Sequence, residues 1–130
     1  MYSLEKFEKS DWSLAAVKNK IIIFQSKSSG LKPLIKLIKK FSSRSAKLVV
    51  YDKIIGQAAA LLLAYLKVSQ VYTPLISQAG VLVLKKHHIE FEAKKRVKHI
   101  MDFASQELCH WEKLAKNKTP KKFWLLVKSL

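Results

Sequence analysis

A chain of 130 residues has room for one hydrophobic core, and residues 1–130 are expected to form a single domain. Apolar residues at 49% and charged residues at 26% exclude a disordered tail, and three Gly and three Pro leave most of the chain to regular elements. The net charge of +16 comes almost wholly from lysine, since Arg44 and Arg96 are the only arginines. Such a field attracts polyanions but is poorer than an arginine cluster at bidentate reading of bases and phosphates.

Residues 3–10 fit a short amphipathic helix, with Ser3 as N-cap and Leu4 and Phe7 on one face. Two extended segments, 12–17 and 20–26, follow around a turn at Lys18-Asn19, and Ile21-Ile22-Ile23-Phe24 is strongly β-prone. Ser28-Ser29-Gly30 breaks the second strand. Leu31 to Phe41 then carries a helical apolar stripe, with Pro33 in its first turn where a missing N–H is harmless.

Lys47 to Tyr51 suits a buried strand. Ile54 to Leu66 is apolar nearly all round, as expected of a buried helix. Val68 to Ile76 is a second buried strand, Ser77 caps a helix running to about His87, and Ile89 to Glu92 is a third strand. Strands and helices alternating at these lengths imply right-handed crossovers and a parallel ladder. Beyond Arg96 the stripe Val97, Ile100, Met101, Ala104, Leu108 reads as helix, extended by Trp111, Leu114 and Ala115. Thr119-Pro120 then starts a last helix over residues 121–129, with Phe123, Trp124 and Val127 on the core. The predicted class is α/β in three layers, with a mixed five-stranded sheet (an antiparallel N-terminal hairpin plus parallel strands) and C-terminal helices.

Charge is distributed unevenly along this layout. Residues 1–50 carry eleven basic and three acidic side chains, and residues 85–130 carry twelve and five. The stretch 51–84 holds only Lys53, Lys67 and Asp52. An uncharged centre between basic ends points to buried inner elements and solvated outer ones. Cys109 is the only cysteine, which excludes an internal disulfide and fits a reducing compartment. No apolar signal segment opens the chain, and the Ile54–Leu66 run is shorter than the roughly 20 residues of a membrane span. A cytoplasmic protein without membrane contact is expected.

Four stretches carry a family resemblance: the hairpin from Trp12-Ser13-Leu14 to Gly30, the run Asp52-Lys53-Ile54-Ile55-Gly56-Gln57-Ala58-Ala59-Ala60-Leu61-Leu62, the segment Ile76-Ser77 to Ile89-Glu90, and Leu108-Cys109-His110-Trp111-Glu112-Lys113. On these the chain resembles a small bacterial and archaeal family of unknown function with a cytidine-deaminase-like fold and no zinc. The Asp-Lys-x-x-Gly-x-Ala-Ala run is the most specific part. Where those relatives tend to read Cys-Pro-Met-Glu, this chain reads Cys-His-Trp-Glu.

Working deaminases of that fold carry His-x-Glu or Cys-x-Glu at the central helix and Pro-Cys-x-x-Cys at the next. By position, Asp52-Lys53-Ile54-Ile55 fills the first slot and Ser77-Gln78-Ala79-Gly80 the second. Neither slot contains a thiolate or an imidazole. The resemblance therefore implies no zinc, no cofactor and no deamination by that chemistry.

Both helix starts would still converge at the carboxyl ends of parallel strands, where free N–H groups and positive dipole ends favour anions. The candidate ligand residues are Asp52, Lys53, Gly56, Gln57 and Ser77, for a small anionic or nucleotide-like molecule. The competing reading is structural, with Asp52 capping the central helix, Gly56 allowing close packing and Lys53 solvated.

As weak catalytic candidates there remain Asp52, Cys109 and Glu112. Cys109 and Glu112 share a helix face at i, i+3, but an unpaired Cys is among the most buried residue types, and the core reading of Cys109 is the preferred one. His87, His88 and His99 lack the i, i+4 partners of a metal face. The runs Lys36/Lys39/Lys40/Arg44, Lys94/Lys95/Arg96/Lys98 and Lys116/Lys118/Lys121/Lys122 either line solvated faces or contact phosphates. The second function class is accordingly a basic, non-enzymatic module for non-specific nucleic acid or protein. Oligomeric state stays open, a dimer through Phe123 and Trp124 included.

Overall fold

The computed structural model describes residues 2–41, 47–100 and 106–129, with the backbone alone for 106–109. In chain order the elements are α1 (Leu4–Lys9), β1 (Leu14–Lys18), β2 (Ile21–Ser26), α2 (Lys32–Phe41), β3 (Val49–Asp52), β4 (Ile54–Ile55), α3 (Gln57–Leu66), β5 (Gln70–Ser77), α4 (Gln78–Lys86), β6 (Glu90–Val97), α5 (Gln106–Ala115) and α6 (Pro120–Val127). The α/β class and the mixed sheet agree with the expectation. β1 pairs antiparallel with both β2 and β3, while β5 pairs parallel with β3 on one side and β6 on the other.

The hairpin turn falls at Asn19-Lys20, one residue later than expected. Both residues have positive φ, 52° and 67°, as a two-residue turn matched to strand twist requires. β3 and β4 are one line interrupted at Lys53, since Val49 pairs with Gln70 and Ile54 with Leu75 in the same register. Opposite the interruption stands Pro74, which has no N–H to give the ladder. Val50 and Ile55 lie five residues apart yet join one core cluster, as do Val71 and Ile76. A strand alternates with period two, so both strands change face at this break.

The main core lies on one face of the sheet. There α2 contributes Leu34, Ile35, Leu37 and Ile38, α3 contributes Ala58, Leu61, Leu62 and Leu63, and α6 contributes Phe123 and Val127. Eight of the ten residues of α3 are buried, consistent with an apolar surface on every side. The other face carries α1, whose Leu4 and Phe7 cover Ala15, Val17 and Tyr51. Tyr51 stacks on Tyr72 with ring centroids 4.9 Å apart.

Several boundaries differ from the sequence reading, each for a local reason. The helix expected over 54–66 begins at Gln57, because Ile54 and Ile55 pair with β5 first. Its N-cap is therefore Gly56, and Asp52 does not cap it. β6 continues to Val97, because Phe91 and Ala93 pack inward between charged neighbours. Val97 is thus strand, Ile100 is buried at 3% exposure, and Met101 and Ala104 of the expected stripe lie outside the described residues. Thr119 caps α6 by accepting from the Lys122 N–H, with Pro120 as first helical residue. Among the described residues no helix is long and apolar enough to cross a membrane.

Candidate anion site at two helix starts

The ladder register brings two helix N-termini side by side. Ile55 pairs with Ile76, and each strand runs straight into its helix two positions later, α3 at Gln57 and α4 at Gln78. Gly80 permits the close approach, since a Cβ there would stand 3.1 Å from the Ile55 carbonyl and 3.2 Å from that of Gly56. A helix leaves its first four N–H groups without intrahelical partners, and two such sets now share one neighbourhood.

The two helices meet that requirement differently. At α4 the Ser77 hydroxyl accepts from the Gly80 N–H at 3.0 Å, and Ser77 is buried. At α3 the cap residue is Gly56, which has no side-chain oxygen to offer. A carboxylate from α5 takes its place. Glu112 accepts from the Gln57 N–H at 2.9 Å and from the Ala58 N–H at 2.7 Å. Both bonds are charge-assisted and lie at the positive end of the α3 dipole.

Glycine at position 56 is a matter of space. Its φ of −100° is open to any residue, but a Cβ would lie 2.5–2.7 Å from the Glu112 carboxylate. Burial pushes the Glu112 carboxyl above the usual carboxylate range, and the Ala58 and Gln57 N–H groups pull it back only in part.

Beside this clamp opens a cavity of about 350 Å³. Gln57 comes from α3, and Ser77, Gln78 and Ala79 come from the start of α4. Lys98 and His99 enter from the segment after β6, Glu112 and Lys113 from α5, and Lys116 from the turn that follows it. Leu82 and Ile100 complete an apolar wall. Glu112, Lys113 and Lys116 thus reach the cavity from the last turn of α5 and the residue just beyond it.

Of the residues singled out from sequence, Gln57, Ser77 and Glu112 meet at this cavity, and Gly56 reaches it through Glu112. Asp52 and Lys53 sit elsewhere, at the β3–β4 interruption. Lys53 Nζ donates to the Ser10 carbonyl at 2.6 Å and the Glu8 carbonyl at 3.2 Å, and lies 5.2 Å from the Phe7 ring centre. It thereby satisfies carbonyls at the end of α1. Burial pushes the Asp52 carboxyl up to about 7, against the opposing pull of the Ile54 and Lys53 N–H groups. The Cys109 side chain lies outside the described residues.

Sequence reading missed the convergence of Lys98, His99, Lys113 and Lys116. Two of them stood in basic runs with nothing to mark them from their neighbours. A signal for the clamp was present, however: an apolar helix entered through Gly, with no Ser, Thr, Asp or Asn, needs an acceptor from elsewhere.

A second cavity of about 350 Å³ is lined by Lys67, His87 and His88 among others, at the C-terminal ends of α3 and α4. Lys67 and His88 have φ of 59° and 57° there. That end presents carbonyls, and its basic side chains complement the helix dipoles. Among the described residues no group of three or more His, Cys, Asp or Glu side chains is placed to hold a metal.

The family model for a domain of unknown function, DUF1893, matches residues 3–130. The chain belongs to the DUF1893 family. Its fold is similar to the crystal structure of a DUF1893 family protein from Thermotoga maritima, with 30% sequence identity and a TM-score of 0.83. That match covers 97% of this chain and 85% of the other. A search of the curated proteins finds no match. Membership in the DUF1893 family therefore fixes the company the chain keeps and leaves its activity to the site itself.

Proposed function

We propose that this DUF1893 chain is a cytoplasmic, zinc-free binding domain for a small anionic or nucleotide-like ligand, held at the starts of α3 and α4. The observation that carries the reading is the ring of Lys98, His99, Lys113 and Lys116 around a cavity floored by two helix N-termini. Glu112 also lines it, but its carboxylate is engaged by the Gln57 and Ala58 N–H groups. Gln78 and Ala79 line the cavity at the positive end of α4. Leu82 and Ile100 offer apolar area for a base or sugar face. The volume sits at the small end of ligand pockets, which favours a mononucleotide or phosphosugar over a dinucleotide.

The two helix starts present Gly56-Gln57-Ala58-Ala59 and Ser77-Gln78-Ala79-Gly80, and neither stretch holds a thiolate or imidazole for zinc. Calorimetric titration with nucleoside monophosphates and inorganic phosphate tests the reading. Binding should weaken at least about tenfold in the Lys98→Ala/Lys113→Ala variant, as expected for loss of two phosphate-contacting cations. Absence of binding by any of these probes, or equal binding by that variant, contradicts it.

One observation favours a second reading, namely the +16 charge spread over the chain. A non-specific nucleic-acid module would bind DNA or RNA through many lysines, with affinity falling steeply as salt rises. Substitution at the cavity alone would then leave that affinity nearly unchanged.

A further inference from the structure

The two edges of the sheet are built to opposite specifications. At one edge β6 reads Glu90, Phe91, Glu92, Ala93, Lys94, Lys95, Arg96, Val97, with its charges outward and Lys94 paired to Glu8 of α1. Charges along an edge discourage another strand from adding to it. At the other edge β2 reads Ile21, Ile22, Ile23, Phe24, Gln25, Ser26, without a charge or a proline, and among the described residues it pairs only with β1. Ile21 is 64% exposed and Ile22 is 37% exposed. An edge strand turns alternate N–H and C=O groups outward, and here nothing in the sequence guards them.

Charge around this edge is one-sided. From Trp12 to Tyr51 there is no Asp or Glu, while lysine and arginine number nine. Lys18 and Lys20 stand at one end of β2 and Lys27 at the other, with Lys32, Lys36 and Lys40 exposed on the following helix. A second copy laid antiparallel on β2 would bring Lys20 of one chain towards Lys27 of the other, so self-pairing is opposed by like charge. The edge is complementary to a strand of the opposite sign.

We propose that β2 is a docking edge for an extended acidic peptide segment of another protein, which adds to the sheet as a further strand. Main-chain hydrogen bonds supply the affinity in this mode, and side chains at alternate positions supply selectivity. Here the peptide's apolar residues meet Ile21 and Ile22, and its carboxylates meet Lys18, Lys20 and Lys27. Exposed isoleucine beside unpaired backbone suits a strand better than a nucleic acid, whose bases stack on aromatic and arginine side chains. The inference is independent of the cavity, which lies at the helix starts.

The test uses the full chain and three synthetic peptides of about ten residues, long enough to cover one strand. One alternates Glu and Val, one alternates Lys and Val, and one has the Glu-Val composition with Pro at every third position. Amide shifts of residues 21–26 should move with the Glu-Val peptide only, and affinity should fall at least about tenfold in Ile21→Lys/Ile22→Lys. Both positions are exposed, and an unchanged melting temperature shows that the double variant is folded. Equal binding of the proline-bearing peptide overturns the proposal, because charge alone then suffices. So does β2-dependent dimerisation in sedimentation, or single-stranded DNA shifting residues 21–26 as strongly as the peptide.

Discussion

The starts of α3 and α4 stand side by side at the end of the parallel strands, yet they are finished in different ways. α4 carries its own cap, Ser77, three residues from the N–H it serves. α3 enters through Gly56 and borrows Glu112 from 55 positions away in the sequence. A local cap secures one helix. A borrowed cap secures two, because it ties α5, with its Lys113 and the Lys116 that follows it, to the floor of the cavity. The difference teaches that the cavity wall is coupled to the central helix by the Glu112 carboxylate in addition to the apolar packing of Trp111 and Ala115.

The strongest way to break the comparison is to remove that carboxylate. Glu112→Ala leaves the Gln57 and Ala58 N–H groups without an acceptor and should lower stability by about 3 kcal/mol in urea unfolding. Glu112→Gln, which retains one acceptor oxygen, should recover part of the loss. Gly56→Ala should cost about 2 kcal/mol, because its Cβ claims the space of the Glu112 carboxylate. In a double-mutant cycle the two losses should be strongly non-additive, since the methyl has less to displace once the carboxylate is gone.

Asp52, just upstream, sharpens the contrast, because this partly buried residue has no helix start to receive its charge. Its folded-state value of about 7 lies above the ordinary 3.8, so the folded chain holds a proton that the unfolded chain releases. Stability from this group is present in full below about pH 4 and declines as pH rises towards 7. Asp52→Asn should therefore gain about 1–2 kcal/mol relative to the parent at pH 8 and flatten its pH slope between about 4 and 7. A parent and variant with parallel pH profiles would contradict this. The smallest effect belongs to the local cap. Ser77→Ala should cost about 1 kcal/mol, without coupling to Glu112→Ala.

Much of this architecture was legible in the sequence. Ser3, Ser77 and Thr119 marked three helix starts because a cap is a local contract between a side chain and an N–H three residues on. The start of α3 was misread for a related reason. Ile54 to Leu66 is apolar with little interruption, and such a run gives no period by which strand can be told from helix. Asp52 is a favoured N-cap residue, but the short strand β4 stands between it and the helix. The most specific part of the family resemblance was the Asp-Lys-x-x-Gly-x-Ala-Ala run, and in the fold its Gln57 lines the cavity while Gly56 makes room for the Glu112 carboxylate. Asp52 and Lys53 belong to the strand interruption and to α1. The grouping of Lys98, His99, Lys113 and Lys116 with Gln57 and Ser77 was not legible, because it depends on tertiary contacts between segments distant in sequence.

The most direct test is a titration of the isotopically labelled chain with a nucleoside monophosphate, followed through backbone amide shifts at two salt concentrations. The account predicts saturable movement concentrated at Gln57, Gln78, Ala79, Lys98 and Lys113, retained at moderate salt because the site is partly enclosed. Movement scattered over the lysines of α2 and α6 and abolished by that salt would show an adhesive cationic surface in place of a site.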